Sequence, residues 1–97
     1  MIRFDWDKRK NKANVKKHGV SFEEAQGVFF DEDALIYDDP DHSDDEDRFL
    51  IIGKSFKRRI LFVCHCFQPE DSVIRIISAR KATSKERFFY DRKGRPT

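Results

Sequence analysis

Arg75, Arg80 and Lys81 bring three cations along one short stretch, Ile74-Arg75-Ile76-Ile77-Ser78-Ala79-Arg80-Lys81-Ala82-Thr83, that runs on to Glu86 and Tyr90. From Val73 to Ala79 the residues are β-branched or small except for Arg75, so the pattern predicts a strand buried over much of its surface. A charge in such a strand must be paired or put to use. Thr83-Ser84-Lys85-Glu86 then has the Ser/Thr-x-x-Glu spacing in which a cap hydroxyl and an N3 carboxylate satisfy the free N–H groups of a helix start. A helix is expected from near Ser84. Arg80 and Lys81 thus fall between a strand end and a helix start, where open backbone N–H groups and the positive end of the helix dipole also favour an anion. A phosphate would suit that place.

The rest of the chain must hold this stretch in position. Its 97 residues are enough for one domain over 1–97 with a modest core. Charged residues make up 39% and apolar ones 38%, but ten phenylalanines argue for a packed interior rather than a disordered chain. The net charge of +2 hides a division. Met1–Gly53 holds 8 Lys/Arg against 14 Asp/Glu, and Lys54–Thr97 holds 12 against 4. Such a split suits a surface that meets an anionic polymer, with a solvated surface as the plain alternative. The sequence has no apolar run of membrane-spanning length, and MIRFDWDKRK has no signal-peptide hydrophobic region, so a cytoplasmic protein is expected. Cys64 and Cys66, two apart on one strand, are poorly placed for a disulfide and lack neighbouring ligands for zinc, so they read as buried thiols.

In chain order, Ile2–Trp6 alternates as a short strand, and Asp7 can cap a helix over Lys8–His18 that closes on Gly19. Asn11, Val15 and His18, at i, i+4 and i+7, are expected to form the inner face of that polar helix, leaving a cationic outer face. Ser21-Phe22-Glu23-Glu24 is a second capping box, with Val20 set to staple against Ala25, and Phe22, Ala25, Val28 and Phe29 make a helical stripe. The two helices are expected to form a hairpin turned at His18-Gly19. Between Asp31 and Asp47 come ten acids and no base, interrupted by the short edge strand Ala34–Tyr37, which leads to an exposed loop at Asp38–Ser43. Arg48–Lys54 and Arg59–Phe67 read as central strands, Gln68–Asp71 as the turn into the cationic strand, and Lys93–Thr97 as a frayed tail. The expected class is α+β, an antiparallel sheet with an N-terminal helical hairpin and a C-terminal helix, in the order β-α-α-β-β-β-β-α.

Phe4-x-Trp6-Asp7, Lys10, Asn14, Lys17-His18-Gly19-Val20-Ser21-Phe22-Glu23-Glu24-Ala25, Asp39-x-Asp41-His42, Arg48-Phe49, Gly53 and Ile74–Thr83 with Glu86 and Tyr90 together resemble the BrnT family. The resemblance spans nearly the whole chain. It implies a small bacterial toxin of a type II toxin–antitoxin system, similar in fold to RelE-like ribonucleases. It also implies RNA as substrate, a BrnA-like antitoxin as partner in a hetero-oligomer, and contact with DNA only through that antitoxin. A binding module without activity, serving as co-repressor or scaffold of the antitoxin, is the alternative.

Cleavage by the neighbouring 2′-hydroxyl needs a base for that hydroxyl, cations for the charge growing on phosphorus oxygens and an acid for the leaving oxygen. It needs no metal or other cofactor, and the acids of this sequence lack ligand-like His or Cys spacing. Arg80 is the first choice for the phosphate, because a guanidinium can hold two oxygens at once. Arg75 is the second, with Glu86 or an Asp as an alternative internal partner. Lys54, Lys57, Arg58, Arg59, Lys81 and Lys85 are expected to grip the RNA backbone, and Tyr90 to stack or to fill the core. His65 and Glu86 are the candidate bases, read against a core histidine and a capping carboxylate. His18 suits a helix C-terminus, and His42 an exposed acidic loop.

Overall fold

Three helix starts and one helix end follow from local side-chain chemistry, and the structure, a computed structural model that describes residues 1–39 and 48–92, realises each of them. Asp7 accepts hydrogen bonds from the N–H groups of Arg9 and Lys10 and so opens α1, Lys8–His18. Gly19 closes it with φ 69, a left-handed conformation that only a residue without Cβ takes freely. Ser21 caps α2, Phe22–Gln26, through the Glu24 N–H. A 3₁₀ turn, Gly27–Phe30, continues α2. In the third start Thr83 Oγ1 accepts from the Glu86 N–H while Glu86 Oε1 accepts from the Thr83 N–H, and α3 runs over Ser84–Arg92.

Five strands, β1 (Arg3–Asp5), β2 (Leu35–Asp38), β3 (Arg48–Lys54), β4 (Ile60–Gln68) and β5 (Val73–Lys81), form one sheet in the order β1-β5-β4-β3-β2. β2 to β5 meander antiparallel, but β1 lies parallel to β5, with Phe4 opposite Ile74. The sheet is therefore mixed rather than antiparallel. Nothing local to Arg3–Asp5 states which edge it joins, since its partner lies some seventy residues along the chain. β4 begins at Ile60 rather than Arg59, because Arg59 is still part of the turn that Ser55 closes by hydrogen bonds with it. The loop and tail expected at 40–43 and 93–97, and His42 with them, lie outside the described residues.

One face of the sheet carries the core. Val20, Phe22, Ala25 and Val28, all fully buried, pack on Ile51, Leu61, Val63, Ile76 and Ala79. α1 adds almost nothing apolar to this, and its inner face keeps Asn11 and His18 half-buried but not Val15. Val15 is exposed, and Asn14 is buried instead. Asn14 Nδ2 donates to the carbonyls of Val20 and Ala79, and its Oδ1 accepts the Ala79 N–H, so hydrogen bonds rather than apolar area hold α1 on β5. α1 and α2 both rest on β5. Asn11 links them, accepting the Phe22 N–H and donating to Glu23. Gly27 lies directly under the turn that joins β3 to β4. A Cβ there would stand 2.8 Å from Cδ2 of Phe56 and 2.9 Å from its backbone nitrogen, so only glycine permits the approach. Among the described residues no helix is long and apolar enough to cross a membrane.

Candidate functional site

On a regular strand Arg75 and Arg80, five residues apart, would point to opposite faces. They do not, because Ile77 is an extra residue in β5. Cys64 pairs with Ser78 and His65 with Ile76, which leaves Ile77 unmatched and resets the alternation. Arg75, opposite Cys66, and Arg80, opposite Phe62, thus share the face turned away from the core. Four strand positions still separate them, about 13 Å. Arg75 is paired with Asp5 on β1 at 2.6 Å, with both side chains well exposed, and ties the edge strand to β5. The structure does not bring it to Arg80.

Arg80 and Glu86 meet fork to fork. Nη1 donates to Oε1 at 2.8 Å and Nη2 to Oε2 at 2.9 Å, and the guanidinium lies 4.0 Å from the centre of the Phe62 ring. Glu86 therefore caps α3 and holds Arg80 with the same carboxylate. The Arg80 guanidinium, helped by the Thr83 N–H, keeps that carboxyl below its ordinary range despite partial burial, so Glu86 is ionised at neutral pH. Both side chains remain partly open to solvent. A cleft of about 290 Å³ is lined by Arg58, Arg59, Ile60, Lys81, Ala82 and Arg87, of which Lys81 and Arg87 are the chain neighbours of Arg80 and Glu86. Four of those six are cations, so an anion would be drawn into it.

The other expected grips are distributed unequally. Arg58 sits at φ 66 in the turn between β3 and β4, with Lys57 exposed next to it and Lys54 exposed at the end of β3. Lys85 is exposed on the first turn of α3. Arg59 is a wall of the cleft, but its guanidinium is engaged. It binds both carboxylate oxygens of Glu24 and donates to the Gly19 carbonyl at 3.0 Å. Tyr90 is buried, and its hydroxyl donates to Asp31 at 2.5 Å, so the ring is not free to stack on a base. Asp31 also accepts the N–H groups of Asp33 and Lys54, joining α3 to the start of β2 and the end of β3. Burial, and after it Asp31, pushes the Tyr90 hydroxyl well above its ordinary range.

His65 stays apart from these groups. It lies on the core face, only 5% exposed, edge-on to Phe29 at 4.7 Å and beside Phe49. Its Nδ1 has no hydrogen-bond partner among the described residues. Burial lowers its pKa from 6.5 to about 4, outweighing a contact with the Val63 backbone. A base walled off by the sheet from Arg80 and Glu86 cannot serve them, so His65 is a core histidine here. Its folded-state pKa lies below the unfolded value, so its contribution to stability is complete above pH 6.5 and is lost as the pH falls from there to about 4. The expected loss is about 3 kcal/mol over that window. Denaturant titrations at several pH values should show this slope in the wild type and its absence in His65→Leu. An unchanged slope in the variant would assign the acid sensitivity to other groups.

Cys64 is likewise inert, its thiol pushed up to about 11 by burial and then by Asp39. Among the described residues no cluster of His, Cys, Asp or Glu side chains is placed to hold a metal ion. Sequence reading passed over Phe62, which supports Arg80 from the neighbouring strand, and Arg87, which completes the cleft one residue after Glu86. Strand pairing is the only signal for the first. The capping box could have flagged the second, because it sets Arg87 on the first turn of α3.

Comparison with known proteins gives two findings. Residues 6–86 match the family model described as ribonuclease toxin, BrnT, of type II toxin–antitoxin system. The fold is similar to that of the crystal structure of the Brucella abortus ribonuclease toxin BrnT, with a TM-score of 0.65, 23% sequence identity, and coverage of 87% of this chain and 100% of that one. No curated protein matches the chain in sequence.

Proposed function

Since the chain belongs to the BrnT family of ribonuclease toxins of type II toxin–antitoxin systems, we propose that it cleaves RNA through attack of the neighbouring 2′-hydroxyl, without a metal ion, at the Arg80–Glu86 pair. The observation that carries this reading is the paired fork itself, a guanidinium and an ionised carboxylate held partly open, with a chain neighbour of each in a cleft with four cations. A phosphate entering from the cleft takes the paired donors of Arg80 that Glu86 now occupies. Glu86 then loses the cation that depresses its pKa, and its basicity rises where a 2′-hydroxyl proton must be accepted. Arg80 stays on the phosphate as negative charge builds on its oxygens, and as the bond from phosphorus to the 5′-oxygen breaks, that oxygen takes its proton from water. Phe62 keeps the guanidinium from swinging away, and Lys81 and Arg58 hold flanking backbone.

The protein acts in the cytoplasm, cutting RNA needed for translation, and is silenced by a BrnA-like antitoxin. The antitoxin covers the cleft with an acidic or apolar segment and makes any contact with DNA. Incubation of the antitoxin-free protein with labelled RNA in the presence of EDTA tests the chemistry. Cleavage should persist and leave 2′,3′-cyclic phosphate or 3′-phosphate ends. Loss of activity on chelation, or 3′-hydroxyl products, would reject the mechanism, and no cleavage at all would favour the inactive binding module.

A further inference from the structure

α1 carries Lys8, Arg9, Lys10, Lys12, Lys16 and Lys17, all exposed, and has no acid anywhere between Lys8 and His18. Three of the six occupy its first turn, at the positive end of the helix dipole, where acids stabilise and cations destabilise. Lys8 with Lys12 and Lys12 with Lys16 are like-charge pairs four apart, each unfavourable as well. A helix that was merely solvated would gain stability by exchanging Lys8, Arg9 or Lys10 for glutamate, whereas Lys16 and Lys17 sit in the last turn, where the dipole favours cations. This one is held by its Asp7 cap, by Gly19 and by the hydrogen bonds of Asn11 and Asn14. The cations of its first turn and its like-charge pairs work against the element that bears them, and an anionic partner would offset that cost.

Their position says where. With Asn11 and Asn14 turned inward, the helical period sets Arg9, Lys12 and Lys16 on the outward side, along about 10 Å of helix. At the C-terminal end the Gly19 carbonyl is bound by Arg59, which is itself a wall of the cleft. We infer that the outer face of α1 and the cleft form one cationic track that binds the RNA backbone on one flank of the scissile phosphate. This rests on the ribonuclease reading. On α1 the track suits a polyanion better than an apolar protein surface, because the centre of such an interface is apolar and α1 offers only Ala13 and Val15. Spaced charges are all that a phosphate backbone asks.

The test combines Arg9→Ala, Lys12→Ala and Lys16→Ala, substitutions to the residue of highest helix propensity that also remove a first-turn cation and the like-charge pairs. Binding of a long 2′-O-methyl RNA, which cannot be cleaved through its 2′ position, is measured over a range of salt concentrations. Affinity should fall roughly ten- to a hundred-fold near 0.1 M salt, and the slope of log K against log salt should become shallower by about 2, the value for three lost contacts to a single strand. Cleavage of a short RNA that spans only the cleft should be unchanged, and the unfolding temperature unchanged or higher. Equal affinity and slope in the variant would overturn the inference and make α1 a solvated face. Loss of antitoxin binding with intact RNA binding would overturn it too, in favour of a protein interface. A wild type that binds this RNA through α1 but cleaves no unmodified RNA would instead remove the ribonuclease reading and leave the track standing.

Discussion

Replacing Arg80 by lysine is expected to slow RNA cleavage by roughly ten- to a thousand-fold, a loss of about 1.4–4 kcal/mol of transition-state stabilisation. Lysine keeps the charge at the end of β5 but cannot present two parallel donors to two phosphate oxygens. Folding should change far less. The Arg80–Glu86 pair is partly exposed, and Thr83 and Glu86 still cap α3 without it, so stability should fall by about 1 kcal/mol or less. Cleavage rates and thermal unfolding measured on this one variant separate two roles. Unaltered cleavage would remove Arg80 from the site. A drop in unfolding temperature of well beyond roughly 8 °C would make it a structural residue instead.

Arg59→Ala should have the opposite profile, a large loss of stability. The Glu24 side chain is 2% exposed, and its carboxylate is satisfied by the Ser55 hydroxyl at 2.7 Å and by the Arg59 guanidinium. Truncating Arg59 leaves a buried carboxylate without its cation, which costs about 3–5 kcal/mol and lowers the unfolding temperature by roughly 12–40 °C. The pH dependence should change sign as well. In the wild type Arg59 first, and Ser55 after it, hold the Glu24 pKa below its ordinary value, so this stabilisation is complete above the ordinary carboxylate range. It is lost only as the pH falls through the lowered value. Without the guanidinium, burial raises the pKa, and the variant should regain stability as acid is added. Denaturant melts of both proteins at pH 7 and pH 5 measure this, and a variant that melts like the wild type would show that Arg59 belongs to the surface alone.

These two arginines show what could and could not be read in advance. Both look alike in sequence, each a cation beside a lysine or another arginine near a strand end. The place of Arg80 between a strand end and a capped helix was legible from local rules, but its pairing was not, since Glu86 was expected beside Arg75 and the structure gives it to Arg80. Nor was that of Arg59, because Glu24 is thirty-five residues away and already had a local role at the start of α2. Tyr90 and Asp31, fifty-nine apart, are a similar case. Asn14 escaped for another reason. Apolar periodicity is a poor guide to a helix whose docking rests on amide hydrogen bonds, and it turned Val15 inward where the structure turns it out.

By itself, then, the sequence determined the three helix starts, the glycine stop of α1, the apolar runs of β3 to β5 and the placing of Arg80 next to a capped helix. Each of these depends on side chains and backbone groups within a few residues of one another, where spacing alone decides who can meet. The tertiary structure decided which edge β1 joins, which face His65 occupies, and that Arg59 is engaged by Glu24. It also inserted Ile77 as the extra residue that sets Arg75 and Arg80 on one side of the sheet. Those outcomes depend on strand register and on pairings across the chain, and a shift of one residue in register exchanges the two faces of a strand without leaving any mark on local composition.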